Sequence, residues 1–310
     1  FGLSFRAGRL RGAVDCSEDV MTDSNTPRFC DLPDELAALE SAAAAIVPVP
    51  YDLTSTWKKG ADRGPRAILE ASHHLERYDL ATGQETCRRG IATLPPVECD
   101  DEPQVLAEML DRQIGDLIEA GTLPIVLGGD HSVSIGPIRG AARVVPGLSV
   151  LQIDAHSDTR EEYAGSTFNH ACVMRRAREW CEVVQVGIRA VDAAEVPLLD
   201  PERVVYAHQI NGPDPEPRWI ERALAGLGEN VYVTIDVDGF DPAYVPATGT
   251  PEPGGLDWYQ VTGLLEQVAK RRRVVGFDVV ELLPTQGQWA SEFLAAKLVY
   301  RFLSFVLAGR

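Results

Sequence analysis

Three short stretches of this 310-residue chain carry acids and imidazoles at spacings that suit metal chemistry. Asp154, His156 and Asp158 alternate in IDAHSD, Asp236 and Asp238 alternate in TIDVD, and His131 follows Asp130 in LGGDHS. Alternate residues of an extended chain share a face, so each set can present its side chains together. A fully extended Asp154–Asp158 segment would span roughly 13 Å, too wide for a compact site, so the chain is expected to curl just past Asp154. Four aspartates packed together repel one another and take up protons unless cations sit among them. Two divalent ions match that charge, and paired metals in hydrolases lie about 3.5 to 4 Å apart. Carboxylates and imidazoles without thiolate suit manganese better than structural zinc; nickel, cobalt and iron stay open by residue type. A single histidine or Asp-x-Asp is commonly a satisfied polar group, a turn or a cap. All three stretches at strand ends are hard to explain as packing.

Strand ends are where they fall. Apolar, β-branched runs at 44–50, 123–129, 148–154, 182–188, 203–207, 230–236 and 273–280, with a weaker one at 90–95, read as strands. Between them, 64–78, 103–121 and 257–271 have helical character; in 103–121 Val105, Leu106, Met109, Leu110, Ile114, Leu117 and Ile118 keep the helical period. This alternation predicts an α/β fold with a parallel sheet covered on both faces. Ligands of such sheets bind beyond the carboxyl ends of the strands, where His131, Asp154, Asp236 and Glu281 all lie. No linker or repeat divides the pattern, so one domain is expected from residue 36 onward, after a tail. His73 and His74 fall inside the 64–78 pattern and read as structural, and His208 as a loop residue. Glu281 reads as a substrate contact, with a buried arginine-paired acid as the alternative. Asp241 and Pro242 lead into PATGTPEPGG, which reads as a shaped, rigid loop.

The formal net charge of −17 argues against nucleic acid as a partner and favours metal ions or a small cationic substrate; solubility alone is the plainer reading. No apolar run approaches the roughly 18 to 20 residues of a membrane helix. Cys16, Cys30, Cys87, Cys99, Cys172 and Cys181 are scattered without a Cys-x-x-Cys pair, which reads as free thiols in the reducing cytoplasm. The chain starts at Phe1, and Met21 is the expected natural start, with residues 1–20 extraneous. Arg6, Arg9 and Arg11 leave a transit peptide as the alternative.

On these residues the chain resembles the ureohydrolase family of arginases and agmatinases, and within it the bacterial agmatinases. The matching stretches are VLGGDHSVSIG (126–136), IDAHSDTREEYAGSTFNHACVMRR (153–176) and TIDVDGFDPAYVPATGTPEPGG (234–255), with FDVVELLP (277–284) and FLAAKLVYRF (293–302). The resemblance implies a three-layer α/β/α sandwich around a mainly parallel eight-stranded sheet, and a trimer or hexamer. It implies two manganese ions, one held by His131, Asp154, Asp158 and Asp236, the other by Asp154, His156, Asp236 and Asp238. It also makes His170 the proton shuttle and Glu281 the guanidinium clamp, and counts Asp158 with them as a catalytic residue. The reaction implied is cleavage of a guanidino compound to urea and an amine, agmatine to putrescine first. Arginases usually carry asparagine where this chain has Arg160, which weakens arginine as substrate. Arg160 could instead meet an acidic tail, which keeps guanidinobutyrate open. A non-catalytic polyamine-binding relative is the reading from another class.

Overall fold

A computed structural model describes residues 26–309, so Cys16, Met21 and the expectations about the first 20 residues lie outside the described part. Its strands are β1 (Ala44–Val49), β2 (Tyr78–Asp79), β3 (Gln84–Glu85), β4 (Ile91–Thr93), β5 (Leu123–Gly128), β6 (Leu148–Ile153), β7 (Glu182–Ile188), β8 (Val204–Tyr206), β9 (Asn230–Asp236) and β10 (Arg273–Val280). The helices are α1 (Asp34–Ala37), α2 (Gly64–Ser72), α3 (Pro103–Glu119), α4 (Ile135–Val144), α5 (Val173–Ala177), α6 (Ala207–Asn211), α7 (Trp219–Ala225), α8 (Trp258–Arg271) and α9 (Trp289–Ala308).

Eight strands form one sheet in the order β4-β1-β5-β10-β9-β6-β7-β8, and every pairing in it is parallel. β2 and β3 make a separate antiparallel hairpin. Strands such as β5 and β6 are buried at every position, as a sheet covered on both faces requires. Successive side chains of β1 and β5 enter opposite cores. Ile46, Ile125 and Leu127 pack with Ile68 of α2, Leu265 of α8 and Phe302 of α9. Val47 and Val126 pack with Leu106, Leu110 and Ile114 of α3. The result is three layers, as expected.

Register decides what reaches the rim. β6 runs beside β9 with Ile153 opposite Ile235, so Asp154 and Asp236 emerge side by side. β10 lies between β9 and β5, with Val280 opposite Asp236 and Val279 opposite Leu127. The Glu281 N–H then donates to Gly129 O at 2.8 Å. Four adjacent strands thus deliver their chemistry to one edge.

Several expectations change. Helical pattern 64–78 ends at Ser72; His73 caps it and its Nε2 meets Arg28 O at 2.9 Å, while His74 is exposed. His208 sits in α6 rather than a loop, stacked on Tyr206 at 5.5 Å. Phe29, Cys30 and Leu32, within the segment expected as a tail, are packed into the core, whereas Val105 and Met109 of the 103–121 pattern are exposed. Cys30, Cys87, Cys99, Cys172 and Cys181 are free thiols. No helix among the described residues is long and apolar enough to cross a membrane.

Candidate active site

The chain does curl past β6. Asp158 takes a left-handed backbone, φ 50°, and its carboxylate turns back toward the residue that follows β5. His131 Nδ1 lies 2.9 Å from Asp158 Oδ2, 3.1 Å from Asp154 Oδ2 and 3.5 Å from Asp236 Oδ2. His156 Nδ1 lies 2.9 Å from Asp238 Oδ2 and 3.7 Å from Asp154 Oδ1. Backbone donors hold the acids in place: His156 N donates to Asp154 Oδ1, Ala155 N to Asp238 Oδ1 and Asp238 N to Asp236 Oδ1. All six expected metal-ligating residues therefore gather on one rim. Two triads could each hold an ion, His131 with Asp154 and Asp236, and Asp154 with His156 and Asp238. Asp154 is common to both.

One orphaned atom tests whether a cation belongs there. His131 Nδ1 is buried and makes no hydrogen bond, although three carboxylates face it. On the other side of the ring, Nε2 meets Thr234 Oγ1 at 2.9 Å, and Thr234 donates to buried Asp278 at 2.6 Å. That relay can take the Nε2 proton, so that with a metal ion bound the Nδ1 lone pair would be free to ligate it. Gln152, buried in β6, donates to Asp154 Oδ2 at 2.6 Å from the protein side. The donor set fits a divalent metal.

Without a cation, the cluster holds protons instead. Burial pushes the Asp236 carboxyl well above its usual range, reinforced by Asp238, Asp154 and Glu281. Burial and then Asp154 raise Asp158; burial and then Asp130 raise Glu281. Burial alone would lower both imidazoles, but the carboxylates outweigh it: Asp154 and Asp158 raise His131, and Asp238 and Asp154 push His156 up to about 12. At Asp154 the effect of burial is outweighed by the two imidazoles, which hold its pKa below the usual carboxylate range.

The rim opens into a cavity of about 420 Å³ that also contains Glu281 and His170. Glu281 has φ 63°, a strained backbone that swings its carboxylate over the rim, where Oε1 accepts from His131 N at 2.7 Å. No arginine pairs with it among the described residues. His170 arrives on the segment after Asp158, which is folded back by Arg160 N donating to Ala171 O and Met174 N donating to Asp158 O. Tyr163 meets the His170 ring edge-on at 5.8 Å. Asp241 ties the two ends of its loop together, accepting from Ala243, Gly254 and Gly255 N–H groups, and Gly249, Thr250 and Glu252 of that loop line the cavity.

Arg160 lines the cavity but is already engaged. Its Nε lies 3.4 Å from Glu195 Oε2, its Nη2 3.6 Å from Asp192 Oδ2, and its guanidinium stacks 4.5 Å from the Tyr163 ring. Sequence reasoning missed Asp192 and Glu195, which follow β7, and Thr54, Trp57 and Lys58, which follow β1. The same strand-end rule points to both loops; no motif singles out their residues.

A parallel α/β sheet with a carboxylate–imidazole centre for divalent metal at its carboxyl rim defines a class of metal-dependent enzymes. Residues 42–304 match the model of the Arginase family. The chain belongs to that family. It is 36% identical over 281 residues to the N(1)-aminopropylagmatine ureohydrolase of Synechocystis, covering 87% of this chain and 91% of that one. It is 35% identical to the agmatinase of Pyrococcus horikoshii, covering 89% and 96%. The agmatine ureohydrolase structure of Thermoplasma volcanium superimposes with a TM-score of 0.79 at 32% identity, covering 88% and 92%.

Proposed function

We propose that this arginase-family ureohydrolase binds two divalent ions, manganese for preference, and cleaves a guanidino amine that lacks a carboxylate, agmatine first. One ion would rest on His131, Asp154, Asp158 and Asp236, the other on Asp154, His156, Asp236 and Asp238. When bound, such a pair eases deprotonation of water at neutral pH and stabilises charge developing at the attacked carbon. Glu281, with Oε1 tied to His131 N, offers its carboxylate to the guanidinium through charge-assisted hydrogen bonds. Water adds to the guanidinium carbon, the bond to the alkyl nitrogen breaks, and His170 hands the departing amine its proton, leaving urea.

The observation that carries the choice of substrate is the pairing of Arg160. Its charge is met by Glu195 and Asp192, so the cavity offers a substrate carboxylate no free guanidinium at that position. This supports an amine over arginine or guanidinobutyrate. A second reading extends the amine: the side chain of Glu252 lines the cavity without a cationic partner among the described residues. A carboxylate suits a further ammonium group, as in N1-aminopropylagmatine. Urea release should be measured with manganese for agmatine, N1-aminopropylagmatine, arginine, 4-guanidinobutyrate and guanidine. The two amines should lead. Guanidinobutyrate matching them would overturn the Arg160 argument, and no urea from any would favour a binding protein. Asp154→Ala should lose metal and activity together.

A further inference from the structure

Thr54 has no part in the reading above, yet it joins three segments beneath the cavity. It follows β1 and is buried. Its N–H donates to Asp130 Oδ2 at 2.8 Å, and Asp130 also accepts from Ser132 N at 3.0 Å, capping the turn that carries His131. Its hydroxyl oxygen accepts from His170 N at 3.1 Å and meets His170 Nδ1 at 3.1 Å. Backbone and ring of one histidine are thus tied to a single atom.

We propose that Thr54 is the positioning residue for His170: its hydroxyl pins Nδ1 and leaves Nε2 as the nitrogen that exchanges protons with the cavity. The inference rests on His170 being the proton shuttle. A hydroxyl suits the task because it can donate to Nδ1 of the neutral ring and accept from Nδ1–H of the imidazolium. The same contact therefore survives both halves of a proton transfer. Tyr163, edge-on at 5.8 Å, supports the ring from the side without a second polar anchor. Since Asp130 fixes the Thr54 backbone, the hydroxyl is held relative to the turn bearing His131 rather than to a free loop.

The test compares Thr54→Val, Thr54→Ser and His170→Asn with the unaltered, metal-loaded enzyme. Thr54→Val keeps the shape and removes the hydroxyl. It should lower kcat by roughly ten- to a hundredfold with KM little changed, because the donor is misplaced rather than the substrate. The pH profile of kcat should shift, and Thr54→Ser should restore both. Nitrogen-15 shifts of the His170 ring should show a hydrogen-bonded Nδ1 in the native protein and in Thr54→Ser, and lose it in Thr54→Val. Native kcat, pH profile and ring shifts in Thr54→Val would overturn the proposal, as would a loss equal in the Ser and Val variants. Undiminished turnover by His170→Asn would instead remove the shuttle reading itself, and the ring shifts would still report whether Thr54 orients the imidazole.

Discussion

Aspartates and histidines buried together are costly until something positive joins them, and the site residues show both sides of that balance. In metal-free protein, His131, His156, Asp236 and Glu281 bind protons more tightly folded than unfolded. A raised folded pKa gives stability that is complete below the unfolded value, about 4 for the acids and about 6.5 for histidine, and lost as pH rises through the folded one. Asp154 has the opposite sign, but its share is fully present above about pH 4. Chelator-treated protein should therefore melt at a lower temperature near pH 9 than near pH 6, and manganese should raise Tm more at the alkaline end as it displaces those protons. Calorimetry with a flat or rising metal-free Tm would contradict this. Glu281→Gln keeps an oxygen for His131 N but loses the charge that meets a guanidinium. It should lower kcat/KM by roughly a hundredfold, about 3 kcal/mol, without loss of metal. Full activity would deny Glu281 the clamp.

Strands were legible where apolar runs were continuous, and helices where the period was clean; the exceptions have packing causes. α4 is not among the helical patterns of the sequence, and it carries Gly136 and Gly140, residues of low helix propensity. Yet a Cβ at Gly136 would lie 2.5 Å from Ala107 O, and one at Gly140 2.4 Å from Asp111 O, so both glycines let α4 press against α3. Tertiary contact overrides propensity there. Gly129, between β5 and the His131 turn, is tighter still: an added Cβ would sit 1.9 Å from Tyr51 O, a backbone atom that cannot swing away. Gly129→Ala should cost roughly 3 kcal/mol in denaturant unfolding as β5 and the segment after β1 are forced apart. An unchanged midpoint would mean that segment yields freely.

Across the whole molecule, 46 acidic against 29 basic side chains give a field that draws cations. For a cationic substrate, kcat/KM should fall several-fold as salt rises from about 20 to 200 mM, with kcat nearly constant, because screening weakens encounter and not the buried chemistry. Salt-independent kcat/KM would assign the charge to solubility alone. Chain order adds a further property of the whole: β5 and β6 are consecutive strands, but β10 and β9 lie between them in the sheet. The rim is complete only once the last strand is in place.

Read alone, the chain determined which groups could ligate metal, that each would end a strand, and that the sheet would be parallel, because side-chain type and hydrophobic period are local properties. It also carried the family resemblance. Tertiary structure decided that β6, β9, β10 and β5 stand side by side and that Asp158 turns back to His131. It decided, too, that Arg160 is matched by Asp192 and Glu195, and that Thr54 reaches His170 across 116 residues. Partners so far apart are chosen by packing and register, which no local pattern encodes.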